Sequence, residues 1–297
     1  MKIAFVGAFG YGNAGDDTYP EVFRDCLPRH HLIFYNSDLP VSLPRDLDLL
    51  VMGGGGILHN TARKDHGDHS LHVKRMSFYM DWAINQDIPW GFLSCGFQFS
   101  PNGEAQYKET LRPWIPYLQK ADFITLRSPR CAQIAYQLTG RTDIRFVPDV
   151  AYLYSPVELP VQNRAKRLTI IPAGAVNPGD KFMQHFIRLF RSMDYEIVWL
   201  GMGSPSDDEP HLQDARRFYP QAEIRRAQNP REAFEFLAHS RMVFSGRYHG
   251  MVFARRSGVP FFVPEQAPFK LVNENYEAPM ETASEHIAVV KSFLPDA

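Results

Sequence analysis

Arg247 and His249 stand two residues apart in Ser245-Gly246-Arg247-Tyr248-His249-Gly250, and side chains of these types can hold an anion and move a proton. Arginine carries a permanent charge on a planar fork that matches carboxylate or phosphate. Histidine exchanges a proton near neutral pH. The apolar run Met242-Val243-Phe244 ahead of the motif is expected to be a strand, and Met251–Ser257 behind it a helix closed by Gly258 at the C′ position. Arg247, Tyr248 and His249 then fall on the turn from a parallel strand's carboxyl end to a helix N-terminus, where N–H groups and the helix dipole favour an anion. Two more basic residues occupy comparable places: Arg127 at the end of Phe123–Arg127, and Lys270 beyond Val259–Val263 and a proline-containing loop. The plain alternative is a histidine capping its turn and an arginine paired with a surface acid. Placement at a strand–helix junction favours function.

Two glycine-rich turns lie in the first half. Gly7-Ala8-Phe9-Gly10-Tyr11-Gly12-Asn13-Ala14-Gly15-Asp16-Asp17 follows the first apolar run, but its glycines do not fit the dinucleotide fingerprint. Asp16 and Asp17 would oppose a phosphate there. They either cap the following helix, or Asp16 joins Asn13 in hydrogen-bonding the hydroxyls of a sugar-like ligand. The second turn, Gly53-Gly54-Gly55-Gly56, sacrifices on the order of 1 kcal/mol of backbone entropy per glycine. A tight strand–helix crossing needs only one or two glycines, so a binding loop at Gly54 and Gly55 is expected. His59, His66, His69 and His72 follow among Arg63, Lys64, Asp65 and Asp68. Histidines three apart could ligate a metal, but this polar segment reads better as a structural or acceptor-contacting loop beginning at His59, with no metal.

The elements that must position these residues alternate. Strands are expected at Lys2–Gly7, Leu32–Asn36, Leu47–Met52, Trp90–Cys95, Phe123–Arg127 and Ile144–Val147, then at Leu168–Pro172, Glu196–Gly201, Glu223–Arg226, Met242–Ser245 and Val259–Val263. Helices are expected at Ser70–Asn85, at Pro129–Leu138 behind the N-cap Ser128, and at Lys181–Met193. In the last of these Phe182, Phe186, Leu189, Phe190 and Met193 share one face, which is expected to be core. Alternating βαβ units imply parallel sheets covered by helices on both sides. The stretch 154–164, with two prolines and no period, reads as a linker, dividing the chain into Rossmann-like domains at 1–155 and 156–297 with a cleft between their facing strand ends.

Composition removes other classes. The chain has 297 residues, 44% apolar and 22% charged, enough for two packed cores, and a net charge of −1 provides no field for nucleic acid. Three scattered cysteines, Cys26, Cys95 and Cys131, favour free thiols and a reducing, cytoplasmic setting. The N-terminal apolar run ends at Gly7, too short for a signal peptide, and nothing approaches the ~20 apolar residues of a membrane span. Peripheral membrane contact stays open, as does oligomeric state.

Together these motifs resemble the polysaccharide pyruvyl transferase family. The matching pieces are Tyr11-Gly12-Asn13-Ala14-Gly15-Asp16-Asp17, Gly53-Gly54-Gly55-Gly56, Leu126-Arg127-Ser128, Val147-Pro148-Asp149, Asp207-Asp208, Ser245-Gly246-Arg247-Tyr248-His249-Gly250, Gly258-Val259-Pro260 and Phe269-Lys270. The resemblance implies a GT-B-like pair of Rossmann domains, with phosphoenolpyruvate as co-substrate and no cofactor. It further implies transfer of a pyruvyl group to two hydroxyls of a sugar or lipid-linked glycan acceptor, forming a ketal. Arg247, the backbone near Tyr248, Arg127 and Lys270 would hold the donor, His249 would be the general acid, and Asn13, Asp16, Gly54, Gly55 and His59 would face the acceptor. One departure concerns Arg127: the family commonly has an acid directly after it, whereas Ser128-Pro129 follow here. Two other readings share the frame. A GT-B glycosyltransferase would place Arg247 and Lys270 on a nucleotide diphosphate and Glu265 on a ribose, and a non-catalytic module would only bind a glycan or anion.

Overall fold

The computed structural model describes residues 1–37, 41–60, 70–99, 106–156, 164–174, 176–264 and 278–294. They form two compact units, each built on an all-parallel sheet.

In unit 1 the strands β1 (Lys2–Gly7), β2 (His31–Asn36), β3 (Leu49–Leu58), β4 (Trp90–Phe97), β5 (Phe123–Leu126) and β6 (Arg145–Phe146) lie in the order β2-β1-β3-β4-β5-β6. β1 pairs with β2 through Ile3 opposite Leu32, and with β3 through Ile3 opposite Leu49. β3, β4 and β5 are apolar almost throughout because helices cover both faces. Those helices are α1 (Thr18–Cys26), α2 (Leu71–Asn85), α3 (Tyr107–Leu111), α4 (Ile115–Lys120) and α5 (Pro129–Thr139). Ser70 and Ser128 cap α2 and α5 by accepting from the N–H groups of Val73 and Cys131. The expected strand Leu47–Met52 runs on through all four glycines to Leu58. The reason is close packing: a Cβ on Gly53 would meet the Leu93 carbonyl, and one on Gly54, whose φ is 87°, would meet the Tyr19 ring.

Unit 2 holds β7 (Ala165–Ile171), α6 (Lys181–Ser192), β8 (Glu196–Gly201), α7 (Pro205–Phe218), β9 (Glu223–Arg226), α8 (Pro230–Ala238), β10 (Ser240–Ser245), α9 (Tyr248–Arg256) and β11 (Phe261–Phe262), with strand order β11-β10-β7-β8-β9. The core-facing side of α6 differs from the one expected. Met183, Ile187 and Phe190 are buried against Leu168, Trp199 and Phe244, whereas Phe182 is 59% exposed, Leu189 49% and Met193 41%. Seen down the axis the apolar stripe is wider than one face, and the sheet covers only the half centred on Ile187.

The units are not consecutive in sequence, so a single cut between 155 and 156 does not describe them. Gly10–Thr18 belongs to unit 2, and the C-terminal residues 278–294, including α10 (Glu285–Lys291), belong to unit 1. Part of the expected linker lies outside the described residues. Of the rest, Tyr154 is buried against Phe234 and Phe253, and Arg164 caps α9 through the carbonyls of Ser257 and Gly258.

His286 ties α10 into unit 1. Its Nε2 lies 2.9 Å from the Pro148 carbonyl, which can only accept, so Nε2 carries the hydrogen. Nδ1 then accepts from the Thr125 hydroxyl at 2.8 Å, whose oxygen in turn accepts the Ser94 N–H at 3.2 Å. Complete burial pushes this imidazole down to about 3. An unfolded chain binds a proton here below about pH 6.5 that the native state refuses, so this contribution to stability is full above pH 6.5 and drains away as pH falls toward 3. His59, also pushed down to about 3 by burial and then by His72, acts in the same direction. Urea midpoints measured from pH 7.5 to pH 4 are expected to fall steeply for the parent chain. His286→Asn is expected to be less stable at pH 7.5 but shallower in its pH slope.

Candidate active site

In open α/β sheets ligands meet the chain beyond the strands' carboxyl ends, where the strand order reverses. In unit 2 that point is β7/β10, and β10 ends at Ser245. The Ser245 hydroxyl closes the turn by donating to the Arg247 carbonyl at 2.7 Å and accepting the Arg247 N–H at 3.2 Å. A Cβ on Gly250 would collide with Ile171 and with Ser245 Oγ, so glycine lets α9 start directly over β7. The helix accordingly begins at Tyr248, three residues earlier than expected, with Arg247 as N-cap and a buried His249 in its first turn.

Arg247 is not a lone cation. Its Nε lies 2.9 Å from Oδ1 of Asp208, which Nη2 also reaches, and Asp208 is fully buried in the first turn of α7. The other Asp208 oxygen accepts the Gly203 N–H at 2.7 Å and lies 4.0 Å from Arg226 Nη1. A Cβ on Gly203 would strike the Arg247 guanidinium, so the arginine lies flat against that backbone. Arg226 is shared with Glu209, whose carboxylate lies 3.6 Å from its Nη2, so Asp208 is the carboxylate that holds Arg247 beside the N-terminus of α9. The sequence reading expected a surface acid in the plain case. The partner is instead interior, because α7 starts with Asp207-Asp208 directly behind Gly203. Arg226 was missed, although its place at the end of β9 is the signal that singled out Arg127.

The glycine-rich turn joins this site. Ala14 N–H donates to the Met202 carbonyl at 2.8 Å, and the His249 imidazole packs on Gly15 so closely that a Cβ there would lie 2.3 Å from His249 Cβ and Cγ. Asp16 Oδ1 stands 3.7 Å from His249 Nδ1. Asn13 holds the Asp16 carboxylate through Nδ2 and accepts the Gly15 N–H at 3.2 Å. Asp17 binds the Gly10 N–H within the loop; burial raises its pKa, and backbone N–H groups partly offset the rise. Asn13 and Asp16, expected in the first domain, therefore belong with His249.

In unit 1 the order reverses at β1/β3, again beside glycines. Arg127, at the end of β5, is 2% exposed, and its Nη1 lies 3.1 Å from Asp149 Oδ2 and 3.4 Å from the Tyr19 hydroxyl, which donates to the same oxygen at 3.0 Å. Asp149 also accepts the Ala151 N–H. Gly96 and Gly56 make room for the guanidinium. The anion facing Arg127 is thus a carboxylate of its own chain. Gly54 and Gly55 are buried in β3. His59 stacks on His72 with centroids 4.0 Å apart, and its carbonyl accepts from Trp114 Nε1. Lys270, Glu265, His66 and His69 lie outside the described residues. Among the described residues no cluster of His, Cys, Asp or Glu is arranged to hold a metal, and no helix is long and apolar enough to cross a membrane.

Two units, each built on an all-parallel α/β sheet, define a protein of the GT-B architecture. Solved structures with that architecture align over nearly the whole chain. MnaA of S. aureus in a co-structure with UDP superposes with TM-score 0.58 at 11% identity, over 99% of this chain and 88% of that one. HepE of Anabaena in complex with UDP and glucose gives 0.57 at 12%, over 98% and 95%. The UDP-GlcNAc 2-epimerase of Neisseria meningitidis bound to UDP-GlcNAc gives 0.56 at 9%, over 98% and 91%. No curated protein matches the sequence. The polysaccharide pyruvyl transferase family profile matches residues 11–263, and the chain belongs to that family.

Removing Arg127 strips the buried Asp149 carboxylate of its counter-charge, at a cost of about 3–5 kcal/mol. Arg127→Leu is expected to lower unfolding stability by that amount in urea titrations, and Arg127→Leu with Asp149→Leu to recover much of it.

Proposed function

We propose that this chain transfers a pyruvyl group from phosphoenolpyruvate to two hydroxyls of one sugar, releasing inorganic phosphate and leaving a pyruvate ketal. The single observation carrying this reading is the turn at β10, where a fixed guanidinium, a helix N-terminus and a histidine backed by a carboxylate meet. Family membership supplies the reaction class.

The chemistry balances without a cofactor. One sugar hydroxyl adds to the enol carbon as His249 gives its proton to the methylene, which becomes the methyl group, and the proton of that hydroxyl returns to His249. The bond from that carbon to the phosphate oxygen then breaks, and the second hydroxyl attacks the resulting oxocarbenium carbon. Its proton leaves with the phosphate. His249 is the proton donor, and Asp16 beside Nδ1 is the positioning residue that orients Nε2 toward the methylene. Arg247 presents Nη1 to the donor's anionic groups, because Asp208 already occupies the edge formed by Nε and Nη2. The N-terminus of α9, at Tyr248, adds its dipole. Asn13 serves the histidine through Asp16 rather than the acceptor, and Arg127 serves the interior of unit 1.

The test is phosphate release from phosphoenolpyruvate across a panel of glycosides, with mass detection of the ketal. His249→Gln is expected to lose turnover by roughly 10²–10⁴-fold while still binding phosphoenolpyruvate. Asp16→Asn is expected to lower kcat more than it raises KM and to displace the alkaline limb of the pH profile toward lower pH, because His249 acts in its protonated form, with partial rescue by Asp16→Glu. UDP accompanies two of the superposed structures, so a nucleotide sugar is the competing donor. Nucleotide release without phosphate release from phosphoenolpyruvate would favour it.

A further inference from the structure

The exposed face of α6 stands apart from the site, and nothing in the proposed reaction uses it. The helix Lys181-Phe182-Met183-Gln184-His185-Phe186-Ile187-Arg188-Leu189-Phe190-Arg191-Ser192 contains no acidic residue. At 3.6 residues per turn it divides into three sectors. Met183, Ile187 and Phe190 enter the core. Phe182, Phe186, Leu189 and Met193 form a second stripe; Phe186 packs on the core, and Phe182, largely exposed, meets the core ring of Phe244 at 6.3 Å. Lys181, His185 and Arg188 form a third stripe beside it, fully on the surface, and Arg191 flanks the core from the other side. None of Lys181, Arg188 and Arg191 makes an ion pair with a described residue.

The apolar stripe is anchored and extended rather than frayed. Phe182 stacks on Phe186 at 5.7 Å, Phe186 packs on the core ring of Phe244 at 5.1 Å, and the half-exposed Phe262 of β11 meets Phe186 edge-on at 6.0 Å. At the helix's N-terminal end the exposed Phe218 lies against Gly179, with Arg217 over its ring at 5.7 Å. A surface of aromatic and aliphatic side chains bordered by Lys181, Arg188 and Arg191, with acids only at the helix ends in the capping Asp180 and in Asp194, is complementary to the interface of an anionic bilayer. There the apolar stripe enters the acyl boundary while the basic stripe meets lipid phosphates.

We propose that α6, with Phe262, docks unit 2 onto an anionic phospholipid membrane surface. The helix lies in the interface plane and does not span it. Lys181 and Arg188 steer and hold it electrostatically, and Phe182 and Leu189 insert. The stripe therefore remains outside the core because water is not its intended neighbour.

Co-sedimentation of the whole chain with vesicles tests this, comparing phosphatidylcholine mixed with phosphatidylglycerol against phosphatidylcholine alone. Binding is expected only to the mixed vesicles and is expected to weaken as salt rises. Lys181→Ala with Arg188→Ala should lower the partition by roughly 25-fold, at about fivefold per cation near such a surface. Phe182→Ser with Leu189→Ser should lower it at least tenfold, and because these side chains are exposed, both variants should keep the parent's thermal midpoint. Three results would overturn the proposal: no binding to either vesicle, equal binding by parent and variants, or a concentration-dependent dimer in sedimentation velocity that Phe182→Ser dissolves. The last would assign the face to a second copy of the chain. None of these readouts depends on the pyruvyl donor, so failure here leaves the proposed reaction standing.

Discussion

Each unit holds an arginine at the carboxyl end of a strand by pairing it with a fully buried aspartate. In unit 2 Asp208 fixes Arg247, and in unit 1 Asp149 fixes Arg127. Burying such pairs carries a desolvation penalty that attraction alone does not offset, so the remaining lone pairs must be satisfied. The Gly203 N–H completes Asp208, and the Ala151 N–H with the Tyr19 hydroxyl completes Asp149. The glycines crowding both sites follow from this requirement. Gly203 and Gly96 lie where a Cβ would strike a guanidinium, so the arginines can be held only where the backbone has no side chain.

The same economy of space places the histidine. His249 can approach Asp16 because Gly15 has no Cβ, and Gly250 lets α9 begin directly over β7. A loop that leaves β1 of the first sheet thereby becomes part of the second unit. His249 and Asp16, more than two hundred residues apart in the chain, are brought together there by the hydrogen bond from Ala14 to Met202 and by close packing. Two histidines of unit 1 have a different character: fully buried His286 and half-buried His59 are held neutral by burial, and their titration reports on folding.

Much of this was legible beforehand for a physical reason. Strands buried on both faces write themselves as continuous apolar runs, so β1, β4 and β8 fall close to where the residues place them. Capping residues such as Ser128 and the terminal Gly258, with φ of 64°, mark helix ends through local stereochemistry. The turn carrying Arg247 and His249 was visible because strand, turn and helix are consecutive. Whatever depended on a distant neighbour was not legible in this way. The four glycines suggest a binding loop, and no local pattern shows that Gly53 and Gly54 lie against Leu93 and Tyr19. The widest apolar stripe of α6 suggested core, but the sheet covers only part of it.

Residue order thus determined the element types, the parallel class of both sheets, and the placing of Arg247 and His249 together on the β10 turn, because each follows from periodicity or from groups adjacent along the chain. Only the tertiary structure decided the partners: that Asp208 neutralises Arg247, that Asp149 takes Arg127 inside, that Asp16 stands behind His249, and that Phe182 stays at the surface. Those outcomes depend on which strands become neighbours and on how closely two backbones can approach, and no local pattern encodes either.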